Sequence, residues 1–421
     1  MSDYLGRELA ADARPDRAET LDRVVVCGAG PVGLTVALIL ARSGVPVTVL
    51  EKLDSLSAES RASTFHPSTL ELLDEVGLAG RVVELGLRAP TTQFRDRTHG
   101  PVVTFDLGVL AGETAFPFRV QLEQSKYTVL VLEELRAGVV EGRYDVEVRF
   151  GHRVHRVEQA DNAGSDSRAV SMLVGTSEEL VELSAPWVIG AEGAHSSVRE
   201  SVGITMLGET YPERFLVVSV AEELSDHLAD LSYVNYVADP QEWLVLLRTP
   251  DHWRLLFPIP EHTADALDDS MVQAKLNGVV DLGRPWEVLA SSLYVVARRV
   301  ASRMRAGRVL LAGDAAHQNS PLGGMGMNSG IHDAVSLGRR LSRVWQGEDD
   351  SLLDEYERLR REVATEFVQA DSHANWLALR EPDPARRAEL QDELRAVAED
   401  PQLHLERMRR AAMLDAVRSS L

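Results

Sequence analysis

Three short stretches carry residue types whose spacing points to chemistry. In the first, Gly28-Ala29-Gly30-Pro31-Val32-Gly33 follows the strand-like run Arg23-Val-Val-Val-Cys27 and opens a helical pattern, and Glu51 ends the next strand-like run. One glycine makes a tight turn, the next lets backbone approach a pyrophosphate, and the third lets helix pack on strand. The helix N-terminus offers free N–H groups and a positive dipole end to phosphates. An acid about 20 residues further on accepts hydrogen bonds from the ribose hydroxyls. That arrangement suits the adenosine of FAD or NAD and opposes a 2′-phosphate. A bare GxGxxG is as readily a chance glycine turn; the strand before it, the helix after it and Glu51 favour a nucleotide site.

The second stretch is the short buried strand 308–312 with Gly313-Asp314 at its end. A carboxylate delivered there can accept hydrogen bonds from a polyol chain such as ribityl, although an aspartate capping a helix is the plainer alternative. In the third stretch, Pro321-Leu-Gly323-Gly324-Met325-Gly326-Met327-Asn328-Ser-Gly330 opens a long helix. Its glycines let bare backbone approach a flat ligand, and the helix N-terminus stabilises negative charge on it.

The elements that must position these residues follow from periodicity. Strand 23–27, helix 31–43 and strand 45–50 make a βαβ unit with parallel pairing. Pro67 opens a helix that the glycines at 77 and 80 end. Residues 82–118 read as irregular, 122–138 as a helix, and 145–150 and 154–158 as strands. A turn at 161–167 then joins two strands of a meander. Between 204 and 299 the runs 214–221, 232–237, 243–248 and 253–258 alternate with turns, which predicts a mainly antiparallel sheet as a second domain. A helix spans 325–345, and beyond it Leu352, Tyr356, Leu359, Val363 and Phe367 form an apolar stripe on a helical tail.

Taken together, the chain resembles the single-component FAD-dependent aromatic hydroxylases, the p-hydroxybenzoate hydroxylase-like flavoproteins. The resemblance rests on the GxGxxG unit through Glu51, on Arg61-Ala62 before a helix, and on Gln124 in QLEQSKYTVLVLEEL. It rests also on Gly190-Ala-Glu192-Gly-Ala-His-Ser-Ser-Val-Arg199 and on Gly313-Asp314 through Gly330, all in the family's order up to about Trp345. It implies an α/β, two-domain fold: a Rossmann-like FAD-binding domain over 20–203 and 300–346, with 82–120 partly facing substrate. A substrate-binding β-sheet domain is inserted at 204–299, with a helical segment at 347–421 and a polar leader at 1–19.

The resemblance also implies site residues. Gly28, Gly30, Pro31, Val32, Gly33, Glu51 and Lys52 would hold the AMP half of FAD. Arg61 and Gln124 would contact its pyrophosphate or ribityl region and Asp314 its ribityl chain, with Gly324, Met325, Gly326, Met327 and Asn328 at the ring. Family members reduce tightly held, non-covalent FAD with NADH or NADPH. The reduced flavin and O2 then give a C4a-hydroperoxide that hydroxylates a small phenolic or N-heteroaromatic substrate. Pro321 would lie at the reacting edge. His66, Tyr233, Tyr236, Arg248 and Arg254 are candidate substrate contacts, against the plain alternatives of core aromatics and solvated or paired arginines. The chain departs from the family in Glu192, where aspartate is usual, in Ser320, where a second proline is usual, and in Met325, where glutamine is common.

Composition narrows the rest. A formal net charge of −21, from 44 basic against 65 acidic side chains, repels nucleic acid and anionic membranes. One cysteine, Cys27, excludes an intramolecular disulfide and suits a reducing, cytoplasmic setting. The first 20 residues lack a signal peptide's apolar region, and no stretch approaches the roughly 20 apolar residues of a membrane span. The histidines, His317 and His332 among them, lack metal-ligand spacing and read as structural or helix-surface residues, so no metal is expected. Homodimers are common in the family, and the segment after Trp345 is too short for a thioredoxin-like extension. A flavin halogenase would carry a W-x-W-x-I-P run, which is missing after Trp253. Epoxidation, Baeyer–Villiger oxygenation and dehydrogenation remain alternatives within flavin chemistry, and a non-catalytic FAD carrier is the alternative outside it.

Overall fold

The computed structural model describes residues 13–59, 62–159, 169–263 and 265–421. A six-stranded sheet lies at its centre, ordered Arg305–Ala306, Val309–Leu311, Trp187–Gly190, Val24–Cys27, Val47–Glu51 and Val146–Phe150. The last five run parallel. Every side chain of Val24–Cys27 is buried, as a parallel strand covered on both faces requires. Helix Pro31–Arg42 follows, with proline in its first turn, where a missing N–H is harmless. It packs so closely on helix Met325–Trp345 that a Cβ on Gly338 would lie 2.6 Å from Ile39.

A four-stranded sheet holds the expected meander, Arg153–Gln159, Val170–Gly175 and Leu180–Ala185 in antiparallel order. The turn expected at 161–167 lies outside the described residues. The polar leader is not wholly a leader: Arg17–Thr20 is a strand parallel to Leu180–Ala185. Ion pairs hold this edge, Arg17 with Glu179 at 2.7 Å and Glu19 with Arg149 at 2.8 Å. Such a polar strand shows no apolar alternation for a sequence reading to find.

The eight-stranded sheet is ordered His317–Gln318, Val288–Ala301, Met206–Val220, Trp253–Pro260, Leu244–Arg248, Val234–Ala238, Thr91–Asp96 and Gly100–Asp106. Its pairs are antiparallel except that between Val234–Ala238 and Thr91–Asp96. Residues 82–118, expected to be irregular, therefore supply two of its strands, and Leu87–Ala89 joins a small separate sheet with Arg119–Gln121 and Thr64–Phe65. The helix expected to end at 77–80 is two helices, Pro67–Glu75 and Ala79–Leu85, broken at Gly77 with φ 75°. The helix expected from 122 starts at Gln124.

The two faces of the eight-stranded sheet differ. On one, Trp253, Leu255, Phe257 and Ile259 pack with Val272 and Leu276 of helix Asp269–Asn277. On the other, Val217, Tyr236, Val245 and Leu256 meet Leu322 of the glycine-rich turn and Leu379 of the tail. That second face looks toward the predicted ligand site.

The tail begins with helix Leu352–Glu362, widens into a π-helical stretch at Val363–Gln369, and continues helical to Arg418. Its buried stripe is Leu353, Tyr356, Arg360, Val363, Ala364 and Val368, shifted from the expected one and interrupted by a fully buried arginine. Arg360 explains itself through Asp333, buried in the middle of helix Met325–Trp345. The Asp333 carboxylate accepts from Arg360 Nε at 2.6 Å, from His317 Nε2 at 2.6 Å and from Gly313 N at 3.0 Å. Burial alone would raise this carboxyl; the charges and hydrogen bonds of His317 and Arg360 outweigh it and hold its pKa at about 2. Neither His317 nor His332 is at the helix surface. Both are buried, in structural roles.

His332 donates to or accepts from the Thr69 hydroxyl at 2.8 Å, and burial, helped by the charge of Arg360, pushes its pKa down to about 3. The unfolded chain takes up this proton near pH 6.5. Its contribution is therefore complete above that value and shrinks as pH falls toward the folded pKa. Between about pH 6 and pH 5 this histidine alone removes about 1 kcal/mol of stability. Urea unfolding at the two pH values should show that loss, and His332→Gln should flatten it; an unchanged slope in the variant contradicts the assignment. Among the described residues no helix is long and apolar enough to cross a membrane.

Candidate functional site

The first glycine turn is closed tightly on the protein side and open on the other. Gly28 has φ 106°, and a Cβ there would lie 2.5 Å from the Ala191 carbonyl oxygen. A Cβ on Gly33 would lie 2.0 Å from the Gly28 oxygen, whereas one on Gly30, the N-cap of helix Pro31–Arg42, would meet nothing within 4 Å. Bare backbone at a helix N-terminus thus faces open space, which is what a phosphate needs. Glu51 stands beside it: its carboxylate accepts from Ala29 N at 2.8 Å and from Leu53 N at 3.0 Å.

The second glycine segment comes to the first. Gly313 has φ 63°, and a Cβ on it would lie 2.8 Å from Val32; one on Gly330 would lie 2.6 Å from Val32. Two regions far apart in sequence are therefore in van der Waals contact. Asp314 is exposed in the short turn Gly313–Ala315, on the open side; it is not the N-cap of that turn.

Beyond it, Gly323 and Gly324 have φ 94° and 67°, so the chain reverses there as only glycine does readily. Asn328 staples this reversal: its amide donates to the Thr64 oxygen at 2.8 Å and the Gly324 oxygen at 2.6 Å, and accepts from His66 N at 2.9 Å. The Gly323 oxygen lies 2.9 Å from His66 Nε2, and Gly323 N donates to Tyr236 Oη at 3.1 Å. A carbonyl only accepts, so His66 carries its proton on Nε2. Burial first, and the nearby charge of Arg119 second, keep the ring neutral.

An extended ligand with a diphosphate in its middle and a flat ring at one end fits this path of open backbone, from Glu51 past Gly30 and Asp314 to Gly324. The family description "FAD binding domain" matches residues 22–371. The chain belongs to that family. Para-nitrophenol 4-monooxygenase of Pseudomonas sp. is 33% identical over 376 residues, 88% of this chain and 90% of that one. The chain is an FAD-dependent monooxygenase that takes its electrons from reduced nicotinamide. The crystal structure of p-nitrophenol 4-monooxygenase from Pseudomonas putida superposes with a TM-score of 0.88 at 30% identity, covering 96% of this chain and 100% of that one. Aklavinone-11 hydroxylase, solved with FAD and aklavinone, gives a TM-score of 0.74 at 30% identity over 86% of this chain and 69% of its own.

Within this flavoprotein the predicted residues divide by position. Gly28, Gly30, Pro31, Val32, Gly33 and Glu51 gather at the first glycine turn, Asp314 follows the Gly313 that meets it through Val32, and Gly324, Gly326 and Asn328 belong to the reversal and the helix start after it. Gln124 begins its helix there, its N–H on the Ala62 oxygen at 2.9 Å. Lys52 is exposed beside Glu51, and Arg61 lies outside the described residues. Met325 and Met327 turn into the core: Met325 packs with Val363, Val368 and Met413 of the tail, and Met327 joins the main core. Pro321 is exposed, and its oxygen accepts from Gly324 N at 3.0 Å, closing the turn.

His66 and Tyr236 come to the glycine-rich turn, and Arg254, 4% exposed, lies on the same sheet face as Leu256. Tyr233 and Arg248 do not join them. They flank each other on the opposite side, where Arg248 pairs with Glu223 at 3.0 Å and Tyr233 is exposed. The cause is alternation: 234 and 236 on one strand and 245 and 247 on the next share the face toward the turn, so Tyr233 and Arg248 fall on the other. Glu192, where the family usually has aspartate, uses its extra length inward. It accepts from Ser196 Oγ at 2.7 Å, Ser197 Oγ at 3.0 Å and Val198 N at 3.1 Å, and burial raises its pKa. Arg119, which the sequence did not single out, is buried, close enough to His66 for its charge to act on the ring.

Proposed function

We propose that this monooxygenase hydroxylates a small phenol held between the Val217, Tyr236 and Leu256 face of the eight-stranded sheet and the turn 321–324. The contact of Tyr236 Oη with Gly323 N carries the reading, because it joins the sheet directly to the turn at the flavin end of the path. Similarity to p-nitrophenol 4-monooxygenase over nearly the full length of both chains supports a small substrate. The balance is one NADH or NADPH, one O2 and one proton consumed, giving a ring hydroxyl, water and oxidised nicotinamide. When bound, the flavin supplies the electron transfer to O2.

The chain's own residues hold and exclude. In this reading the six-stranded sheet and its glycine turns are the FAD-binding part, and residues 204–299 with strands from 82–120 form the substrate-binding part. The Gly30 backbone N–H end takes the pyrophosphate, Glu51 the adenosine ribose and Asp314 the ribityl chain. Leu322 and Leu379 keep water from the reacting edge, which strengthens each polar contact left inside. A homodimer in the cytoplasm completes the proposal.

Glu51→Gln should weaken FAD binding about tenfold, because one anionic acceptor becomes an N–H donor that faces other donors. Equilibrium titration with FAD reads this, and an unchanged dissociation constant removes Glu51 from the site. For the function itself, phenols should stimulate NADH or NADPH oxidation and yield a product heavier by one oxygen. Hydrogen peroxide alone with every phenol tried overturns the proposal.

A further inference from the structure

We propose that Arg119 receives the anionic oxygen of the substrate, so that the protein selects its phenol as the phenolate; this rests on the function just proposed. Arg119 lies on strand Arg119–Gln121 and is 4% exposed. A guanidinium has five N–H donors. Here one nitrogen makes a single long bond, Nη2 to the Ala411 oxygen at 3.3 Å, while Nε and Nη1 are buried without any partner. Among the described residues no carboxylate is paired with it. A cation taken out of water is destabilising unless an anion or a full set of acceptors compensates, so this side chain calls for negative charge.

Its surroundings say where that charge sits. Cross-strand partners share a face, and Arg119 is paired with Ala89, which packs with Tyr236, Leu322 and Leu379. Two residues along, on the same face, Gln121 accepts from the Thr64 hydroxyl at 3.0 Å and leaves its buried Nε2 without an acceptor. Thr64 in turn stands where a Cβ on Gly324 would meet it at 3.1 Å, Asn328 ties the two backbones together, and His66 is held on Gly323. The unused donors of Arg119 and Gln121 thus collect beside the reversal at 323–324, outnumbering the one unused acceptor there, His66 Nδ1, and an acceptor-only group matches them. The anionic oxygen of a phenolate is such a group. Ionisation also enriches the ring in electrons, which electrophilic oxygenation requires.

The test is calorimetric titration of the FAD-loaded protein with 4-nitrophenol, at a pH where it is ionised, and with its neutral ether 4-nitroanisole. The wild type should favour the phenolate by about 10- to 100-fold, the worth of a hydrogen bond to a charged group. Arg119→Met should abolish that preference while leaving the ether's affinity within about threefold, and Arg119→Lys should keep part of it. If Arg119→Met does not fold, Arg119→Gln, which keeps N–H donors without the charge, carries the same expectation. An unchanged preference in the neutral variant, equal weakening of both ligands, no preference in the wild type, or loss of FAD in place of phenolate would each overturn the proposal. Turnover separates the two readings. If the wild type oxygenates 4-nitrophenol without any dependence of binding on Arg119, only the anion site fails; if no phenol gains oxygen, the function fails.

Discussion

Asp333→Asn should lower the unfolding free energy by about 3–5 kcal/mol, the penalty for removing one partner of a buried ion cluster. The asparagine is nearly isosteric, so the loss comes from charge. Arg360, 0% exposed, keeps its bonds to Ser329 and to Ser420 Oγ at 2.8 Å but loses the one buried counter-charge it has among the described residues, and the single oxygen left on asparagine cannot serve both Arg360 and His317. Chemical unfolding of the FAD-loaded protein measures this. The double variant Asp333→Asn with Arg360→Met should recover at least about 2 kcal/mol, because an apolar replacement of the whole pair can be close to neutral. A single-variant loss below about 1 kcal/mol would show that the cluster does not hold the tail to the core. FAD affinity should fall with stability, since Asp333 also anchors Gly313 N, the residue before Asp314.

Gly33→Ala should weaken FAD binding about 100-fold and destabilise the protein without FAD by about 3 kcal/mol, the upper end for overpacking. The new Cβ would strike the Gly28 carbonyl oxygen at 2.0 Å, and that oxygen belongs to the phosphate turn itself. No flexible side chain is there to yield. Gly30→Ala is the informative companion: its Cβ meets no protein atom within 4 Å, yet it enters the space assigned to the pyrophosphate. That variant should keep its melting temperature without FAD and still lose affinity. Should both variants bind FAD like the wild type, the assignment of this turn to the cofactor is wrong.

What the sequence disclosed was mostly local. The turn at 28–33 with Glu51, the aspartate after 309–311 and the helix from Met325 to Trp345 are each written in adjacent residues, and the structure puts them where their spacing says. What it concealed depended on distance or on register. Asp333 and Arg360 look like surface charges until helix packing brings both inside. Of the strands Thr91–Asp96 and Gly100–Asp106, the second is the edge of its sheet and buries only Phe105, while the first is paired on both sides but is written almost wholly in polar residues, so neither shows an apolar alternation. Tyr233 and Tyr236 were equal candidates because nothing local fixes which parity of a strand faces the turn. Arg119 reads as an ordinary strand arginine; only the count of its unfilled bonds sets it apart.

The parallel strands Trp187–Gly190 and Val309–Leu311 are neighbours, although the chain runs through most of the eight-stranded sheet between them. That excursion is tied at its root, where Met206 pairs with Ala301. It is held a second time where Val234–Ala238 lies parallel to Thr91–Asp96, a strand that the chain lays down well before the excursion begins. The insert is thus a plug with two pins: any replacement of different shape would have to keep both the root at Met206 and Ala301 and the seam with Thr91–Asp96, while the order of the six-stranded sheet would be left as it is.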